Sequence, residues 1–218
     1  MRMSVVIPTL DAAATLGACL DAVRGAEEVI VVDGGSSDET WRIAEAAGVR
    51  AIAAERGRGA QLRRGAAAAR GDWLLFLHAD TRLGPGWRDA AAAHAERRSR
   101  EAACFRFRLD DPAWQARWVE AGVALRARAL GLPYGDQGLL LSRDLYESVG
   151  GYRPLPLMED VDLVRRLPRR PVVLEAEALT SADRWRRDGW LRRSGRNLAC
   201  LTLHRLGMSA ERVARLYG

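Results

Sequence analysis

Trp73-Leu74-Leu75-Phe76-Leu77-His78-Ala79-Asp80-Thr81 is the stretch whose reading decides the fold. Its apolar residues run without a polar break and then stop at a histidine and an aspartate. A continuous apolar run of this length fits a strand buried on both faces, as in a parallel sheet covered by helices. A carboxylate just past the end of such a strand stands where open α/β sheets bind ligands, in the crevice outside the C-terminal ends of the strands. Taken alone, the stretch also fits a buried strand followed by an aspartate capping a turn.

The residues upstream favour the first reading. Ser4 to Ile7 reads as a strand, and Ala13 to Val23 as a helix with Leu16, Cys19, Leu20 and Val23 on one face. Val29 to Val32 is a second, wholly apolar strand. Gly34 to Asp38 is a loop, with Ser36, Ser37 or Asp38 placed to cap a helix that runs to Ala47. Val49 to Ala53 is a short third strand, and Gly57-Arg58-Gly59 opens a helix to about Ala69. Alternation at this spacing means βαβ units and a parallel sheet.

Downstream of Asp80 the pattern changes. Gly84-Pro85-Gly86 breaks the chain, and Trp87 to about Arg98 is an Ala-rich helix. Ala103 to Leu109 alternates apolar residues with Arg106 and Arg108, a strand with one wet face. Pro112 to Leu130 reads as a helix with proline in its first turn, and core packing is the expectation for Trp114 and Trp118, one turn apart. Leu139 to Leu141 is a strand, Arg143 to Val149 and Met158 to Leu167 are helices, and Val172 to Leu174 is a last strand. From Trp185 the chain reads as helical and basic to its end. His94 and His204 lie in helical stretches and read as packing or surface residues.

With 218 residues the chain is long enough for one large α/β domain. It divides into a nucleotide-binding lobe (1–83), an acceptor-binding lobe (84–183) and a basic helical tail (184–218). The opening Met1 to Pro8 is too short and too soon interrupted by proline for a secretory signal, and no apolar run approaches the roughly 20 residues of a membrane span. Cys19, Cys104 and Cys200 are odd in number and far apart, which points to a reduced, cytoplasmic setting. The net charge of +6 rests on arginine alone, and it concentrates at Arg184, Arg186, Arg187, Arg192, Arg193 and Arg196, against Asp183 and Asp188. Such a run faces an anionic membrane surface, a phosphorylated ligand or nucleic acid, or is a solvated helix face. No nucleic-acid motif accompanies it.

Three acidic sites follow strands or loops: Asp33, Asp80 and Glu159-Asp160. Asp33 with Gly34 suits hydrogen bonding to a base or ribose, Asp80 suits a divalent cation, and Asp160 suits proton acceptance from a hydroxyl. I-P-T-L from Ile7, V-V-D-G-G-S-S-D-E-T from Val31, R-G-D-W-L-L-F-L-H-A-D-T from Arg70 and M-E-D-V-D-L from Met158 follow one another in order. Together these resemble the inverting glycosyltransferases of family two. The resemblance implies a GT-A fold, a mainly parallel Rossmann-like sheet flanked by helices, with a helical C-terminal tail. L-H-A-D-T, G-D-Q-G at Gly135 to Gly138, P-L-M-E-D-V-D-L from Pro156 and T-S-A-D-R-W from Thr180 are similar to the small stand-alone members, some linked to arsenosugar biosynthesis.

The resemblance also implies roles. Pro8, Thr9, Asp11, Asp33 and Gly34 would line the nucleotide pocket, with His78 and Ala79 beside it. Asp80 would hold Mg²⁺ or Mn²⁺, and Arg56 and Arg58 would meet the diphosphate or base. Asp160 would be the general base, with Glu159 beside it. Gly135, Asp136, Gln137, Arg184 and Trp185 would shape the sugar or acceptor site. Two departures stand out: His78 replaces the first aspartate of D-x-D, and Ala12 stands where a glutamate is usual. Ser181, in place of the glutamine of Q-x-x-R-W, argues against a processive polymerase. The implied partners are a nucleotide-sugar donor, with a UDP-sugar favoured, and a small-molecule or lipid acceptor. Peripheral membrane contact through the Arg-rich run and a homodimer are open assemblies. The rival readings are a sugar-nucleotide nucleotidyltransferase, which usually carries a Gly-rich, Arg-bearing loop after its first strand, and a non-catalytic scaffold on the same fold.

Overall fold

A computed structural model describes residues 1–217 apart from 132 and 134, with the side chains of 128–130 and 217 set aside. The first half alternates as its periodicity demands. In order come β1 (Met3–Thr9), α1 (Ala13–Ala22), β2 (Glu28–Asp33), α2 (Thr40–Ala46), β3 (Arg50–Ala53), α3 (Arg58–Ala68) and β4 (Trp73–Phe76). β1 pairs in parallel with both β2 and β4, and β2 with β3. The period of two sorts side chains between the two faces. Leu74 and Phe76 join Val6 and the α3 residues Leu62 and Ala66. Trp73, Leu75 and Leu77 join Met3, Val5, Ile7 and the α1 residues Leu16, Cys19 and Leu20. Each such side chain, fully buried, contributes roughly 1.5–3 kcal/mol.

The second half adds β5 (Thr81–Leu83), α4 (Trp87–Arg97), β6 (Ala103–Leu109), α5 (Trp114–Leu130) and a 3₁₀ turn at Gly135–Gln137. Then follow β7 (Leu139–Ser142), α6 (Arg143–Ser148), α7 (Glu159–Arg166), β8 (Val172–Thr180), α8 (Asp183–Asp188), α9 (Trp190–Arg205) and α10 (Ala210–Tyr217). The single sheet runs β3-β2-β1-β4-β7-β6-β8-β5. β7 is antiparallel to β4 and β6, β8 is parallel to β6, and β5 is antiparallel to β8. The sheet is thus parallel on its first side and mixed on its second. No helix among the described residues is long and apolar enough to cross a membrane.

Several elements differ from expectation. The stretch 73–81 is not one strand and a cap: β4 ends at Phe76, and a turn closes where the Thr81 N–H donates to the His78 carbonyl at 3.1 Å. The chain then re-enters the sheet at its far edge as β5. β8 continues to Thr180 because Glu175 and Glu177 alternate with apolar residues on a wet face, where Arg108 donates to Glu177 at 3.0 Å. The basic tail is three helices, broken at Gly189 (φ 84°) and Gly207 (φ 97°), and its expected last residue, Gly218, lies outside the described residues. Trp114 and Trp118 are 66% and 75% exposed, not core, because α5 turns Ala116, Val123 and Ala127 inward instead. His94 does pack, buried edge-on against Trp73 with ring centroids 6.0 Å apart.

α3 lies so close to the sheet that a methyl group on Gly65 would sit 2.3 Å from Val6 Cγ1 and 2.8 Å from Val32 Cγ2. Gly17, within α1, has nothing within 4 Å of the same position. Helix propensity alone favours alanine over glycine by about 1 kcal/mol at both sites. Gly17→Ala should therefore stabilise by up to about 1 kcal/mol, whereas Gly65→Ala should destabilise by roughly 1–3 kcal/mol through overpacking. Urea midpoints moving the same way for both variants would sink the close-packing account.

Candidate functional site

The C-terminal ends of the parallel strands carry two connected constructions. The first is a stapled loop at the ends of β1 and β2. Thr9 Oγ1 donates to Asp33 Oδ1 at 3.1 Å, and the N–H groups of Gly35 and Ser36 donate to Asp33 Oδ2 at 2.9 Å. The Ser36 hydroxyl also donates to Asp33. Burial raises the Asp33 carboxyl pKa, but these donors, Ser36 first, outweigh it and hold the group below the usual carboxylate range. Asp11, at φ 47°, accepts from Ser37 N–H at 2.8 Å, while its own N–H donates to Ser36 Oγ at 2.9 Å. Ser36 and Ser37 therefore tie the loop together and do not cap α2. The N-cap of α2 is Glu39, without a side-chain cap bond, and Asp38 before it accepts from Thr40 N–H at 3.0 Å and from Ala13 N–H at 2.9 Å. Gln61, buried on α3, donates to the carbonyls of Thr9 and Val32 at 2.7 Å each. Sequence reasoning missed Gln61; a lone amide on the apolar face of an Ala-rich helix was the available signal.

The second construction is a cavity. Arg58, His78, Asp80, Asp136, Asp160, Thr180, Arg184 and Trp185 line it, with Leu157, Met158, Arg193 and Asn197 completing the wall. Asp80 follows β4 in the turn described above, and Asp160 is the second residue of α7. Met158 precedes α7 at φ 63°, a left-handed conformation that costs a non-glycine residue on the order of 1–3 kcal/mol. Asp160 is held from two sides: Gly135 N–H donates to Oδ2 at 2.9 Å and Val161 N–H to Oδ1 at 2.7 Å. Gly135 also makes room for His78, since a Cβ there would lie 2.3 Å from His78 Nε2. Burial, then the positive charge of Arg58, push the His78 imidazole down to about 3 against the pull of Asp160, with Arg184 adding to the depression. His78 is therefore a neutral ring packed on the 3₁₀ turn.

The remaining expected residues divide. Glu159 is fully buried and does not line the cavity; Arg58 Nε approaches its Oε1 at 2.7 Å, an ion pair beneath the floor. Burial raises the Glu159 carboxyl above its usual range, with Arg58 opposing. Gln137 turns away into the core, donating to the Phe105 carbonyl at 3.2 Å. Pro8 is buried in β1 and Ala79 in the turn after β4, and Arg56 is exposed outside the cavity. The backbone N–H of Gly34 donates to the Thr9 carbonyl at 2.9 Å. Arg184 Nη2 stands 3.8 Å from Asp80 Oδ2, and Trp185 is 7% exposed.

The donor chemistry of the cavity fits a hard divalent cation. Asp136 Oδ1 is buried without a hydrogen-bond partner among the described residues. Burial, with the like charges of Asp160 and Asp80, lifts that carboxyl to about 6 against the pull of Arg126 and Arg58. Among the described residues no group of three His, Cys, Asp or Glu side chains is arranged to hold a metal alone. Asp80 and Asp136 would thus supply only part of a coordination shell, leaving the rest to phosphate oxygens and water, as Mg²⁺ prefers.

The tail closes the cavity. Arg193 stacks over the Trp185 ring at 5.2 Å, and its Nη1 donates to Asp188 Oδ2 at 2.7 Å. Arg196 reaches the same oxygen at 2.7 Å, Arg187 pairs with Asp188 at 3.0 Å, and Arg186 pairs with Asp111 at 2.6 Å. Much of the basic run is thus paired with acids of the same fold. Arg187, then Arg193, hold the Asp188 carboxyl down at about 2. A depressed folded-state pKa contributes stability above the unfolded value and loses it as pH falls through the folded one. Asp188→Asn should lower the denaturation midpoint at pH 7, and the deficit should shrink between pH 4 and about 2. A deficit independent of pH in that window would remove the charge from the explanation.

Comparison with known proteins agrees with this geometry. The family model for glycosyl transferase family 2 matches residues 4–143. A PGL/p-HBAD biosynthesis glycosyltransferase of Mycobacterium tuberculosis is 44% identical over 91 residues, covering 37% of this chain and 36% of that protein. The glucosyl-3-phosphoglycerate synthase of Mycolicibacterium paratuberculosis is 37% identical over 92 residues, covering 36% of this chain and 28% of that one. The matched stretch thus spans about a third of these relatives. Glucosyl-3-phosphoglycerate synthase from Mycobacterium tuberculosis, solved with Mn²⁺, UDP and glucosyl-3-phosphoglycerate, superposes with a TM-score of 0.59 at 21% identity, covering 82% of this chain and 70% of that one. S. aureus TarS in complex with UDP-GlcNAc gives 0.65 at 17% identity, over 83% and 58%. Both share the GT-A arrangement of a mixed sheet flanked by helices. With the family match spanning most of its length, the chain belongs to glycosyl transferase family 2.

Proposed function

We propose that the protein moves a sugar from a nucleoside-diphosphate donor to an acceptor hydroxyl with inversion. The observation that carries this reading is one cavity that gathers Asp80, Asp136 and Asp160 with Arg58 and Arg184, in a chain of this family. The relatives solved with UDP, UDP-glucose, Mn²⁺ or Mg²⁺ support a uridine donor and a divalent cation. On this reading the stapled Asp11–Asp33 loop presents the base and ribose side of the donor. A cation at Asp80, with the open oxygen of Asp136, supplies neutralising charge to the diphosphate when bound.

Asp160 is the general base. Its two backbone donors fix the carboxylate plane and leave lone pairs toward the cavity. As the acceptor oxygen bonds to the anomeric carbon from the face opposite the diphosphate, the carbon–phosphate oxygen bond breaks and the acceptor proton passes to Asp160. One displacement inverts the anomeric centre. Arg58 and Arg184 add charge-assisted hydrogen bonds to the departing diphosphate. Glu159 positions Arg58 and touches no substrate. His78, neutral, offers a polar ring edge where the family's first aspartate would stand. Each of the four motifs resembling the arsenosugar-linked members gives the cavity at least one residue, His78 and Asp80, Asp136, Asp160, and Thr180 and Arg184, which supports treating them as one donor-and-acceptor site. The tail reaches the cavity through Arg193 and Asn197, which supports grouping it with the acceptor side. Three free, buried cysteines support a reducing, cytoplasmic setting.

On the acceptor side, the buried Trp185 Nε1–H and Asn197 Oδ1 lack hydrogen-bond partners among the described residues. One donor and one acceptor in one cavity suit a hydroxyl-bearing acceptor.

Asp160→Asn should cut turnover by on the order of 100- to 10,000-fold while UDP binding with Mn²⁺ stays nearly intact by calorimetry; full turnover would reassign the base. A screen of donor hydrolysis across sugar nucleotides identifies the substrate, and no hydrolysis or nucleotide-dependent thermal stabilisation would leave a non-catalytic scaffold. Once the acceptor is known, Asn197→Leu and Trp185→Phe should each raise its KM about 5- to 10-fold, the worth of a hydrogen bond of about 1 kcal/mol, with the donor KM unmoved.

A further inference from the structure

α5 and α9 pack side by side through Val119 and Trp190, which join a small core around Phe107 and Trp185. Their outward faces are apolar and bare. On α5, Trp114, Trp118 and Leu125 are 66%, 75% and 68% exposed, and the two indoles meet edge-on with centroids 6.1 Å apart. Their spacing of four and seven residues keeps them on one helical stripe with the exposed Ala121. On α9, Leu191 and Leu198 are 90% and 64% exposed, a spacing of seven, and Leu206 just beyond the helix is 80% exposed. Isolated exposed leucines need no explanation, but apolar stripes on two helices that pack together, one of them carrying paired tryptophans, do.

Charge identifies the occupant. α9 contains no acidic residue, and exposed Arg192 and Arg205 flank its leucines. The only acid on α5, Glu120, is buried and paired with Arg108 and Arg117 at 2.8 Å. The face therefore combines tryptophan, leucine and uncompensated arginine. That is the composition of a helix pair lying in a membrane interface, with indoles at headgroup depth and arginines meeting anionic lipid. A second copy of the chain suits it poorly, since a two-fold contact would bring the same arginines together with no acid to receive them.

We propose that the outer faces of α5 and α9 dock the protein on an anionic lipid surface. Docking places the cavity beside the bilayer, because α9 presents Arg193 and Asn197 to the cavity on its opposite face. The acidic-paired stretch from Arg184 to Arg187 takes little part. This inference stands apart from the transfer reaction, and its test needs no substrate.

The test is co-sedimentation of the full chain with vesicles of phosphatidylcholine alone or mixed equally with phosphatidylglycerol, at low and high salt. Binding is expected to the anionic vesicles, with a blue-shifted tryptophan emission quenched by brominated lipid. Trp114→Ser with Trp118→Ser, and separately Leu191→Ser with Leu198→Ser, should each weaken partitioning at least 10-fold. Arg192→Gln with Arg205→Gln should weaken it and reduce its salt dependence. These side chains are exposed, so circular dichroism and melting should match the parent. Absence of binding to anionic vesicles at low salt overturns the proposal. So does partitioning unchanged in the serine variants, or a stable dimer by sedimentation equilibrium that those variants dissociate.

Discussion

The buried contact between Arg58 and Glu159 joins the two halves of this molecule. Arg58 opens α3, the helix that covers the parallel strands; Glu159 opens α7, which follows the Gly- and Pro-rich loop of the second half. The approach is tight around it: a methyl group on Gly59 would lie 2.3 Å from the Arg153 carbonyl. Glu159 has no exposed surface, so its charge has no recourse to water. Removing one partner of such a pair costs about 3–5 kcal/mol because the other is left buried and uncompensated. With Glu159 fixed, Asp160 is turned toward the cavity and received by the Gly135 N–H. The acid that faces the cavity is thus aimed by the neighbouring acid that does not.

Unsatisfied polarity collects in the same region. The buried atoms of Asp136, Trp185 and Asn197 that lack partners among the described residues all belong to residues that line one cavity. Folded chains seldom leave such groups bare unless a ligand or ion completes them. The strained backbone is placed alike, with Asp11 and Met158, the non-glycine residues at positive φ among the described residues, at the stapled loop and at the cavity wall. Strain, orphaned polarity and like-charge crowding are costs that the closely packed sheet and its covering helices can offset.

Much of this was legible from residue patterns. The apolar runs of β1, β2 and β4 announced a covered parallel sheet, since only burial on both faces tolerates unbroken apolar sequence. The short spacing between strand ends and Asp33 and Asp80 placed those two carboxylates at one edge, and the M-E-D-V-D-L motif after the Gly- and Pro-rich loop marked Asp160. What escaped were features that depend on partners distant in the chain. β5 has three residues and no propensity of its own; it exists because β8 offers an edge. Trp114 and Trp118 looked like core because large aromatics usually are, yet which face of α5 turns inward was set by its neighbours. Gln137 sat in a polar motif but turns to the Phe105 carbonyl, 32 residues away in sequence.

The sequence by itself determined the alternating architecture, the family, and the identity of the acids at the strand ends, because periodicity and motif order are properties of the chain. Only the tertiary structure decided which of those acids face the cavity. Asp33 is enclosed by its own loop, Glu159 lies beneath Arg58, and Asp80, Asp136 and Asp160 stand open. It also brought Arg193 and Asn197, from the tail, to the wall opposite. Burial and pairing are relations between distant residues, and no local pattern encodes which of two adjacent carboxylates will have an arginine waiting for it.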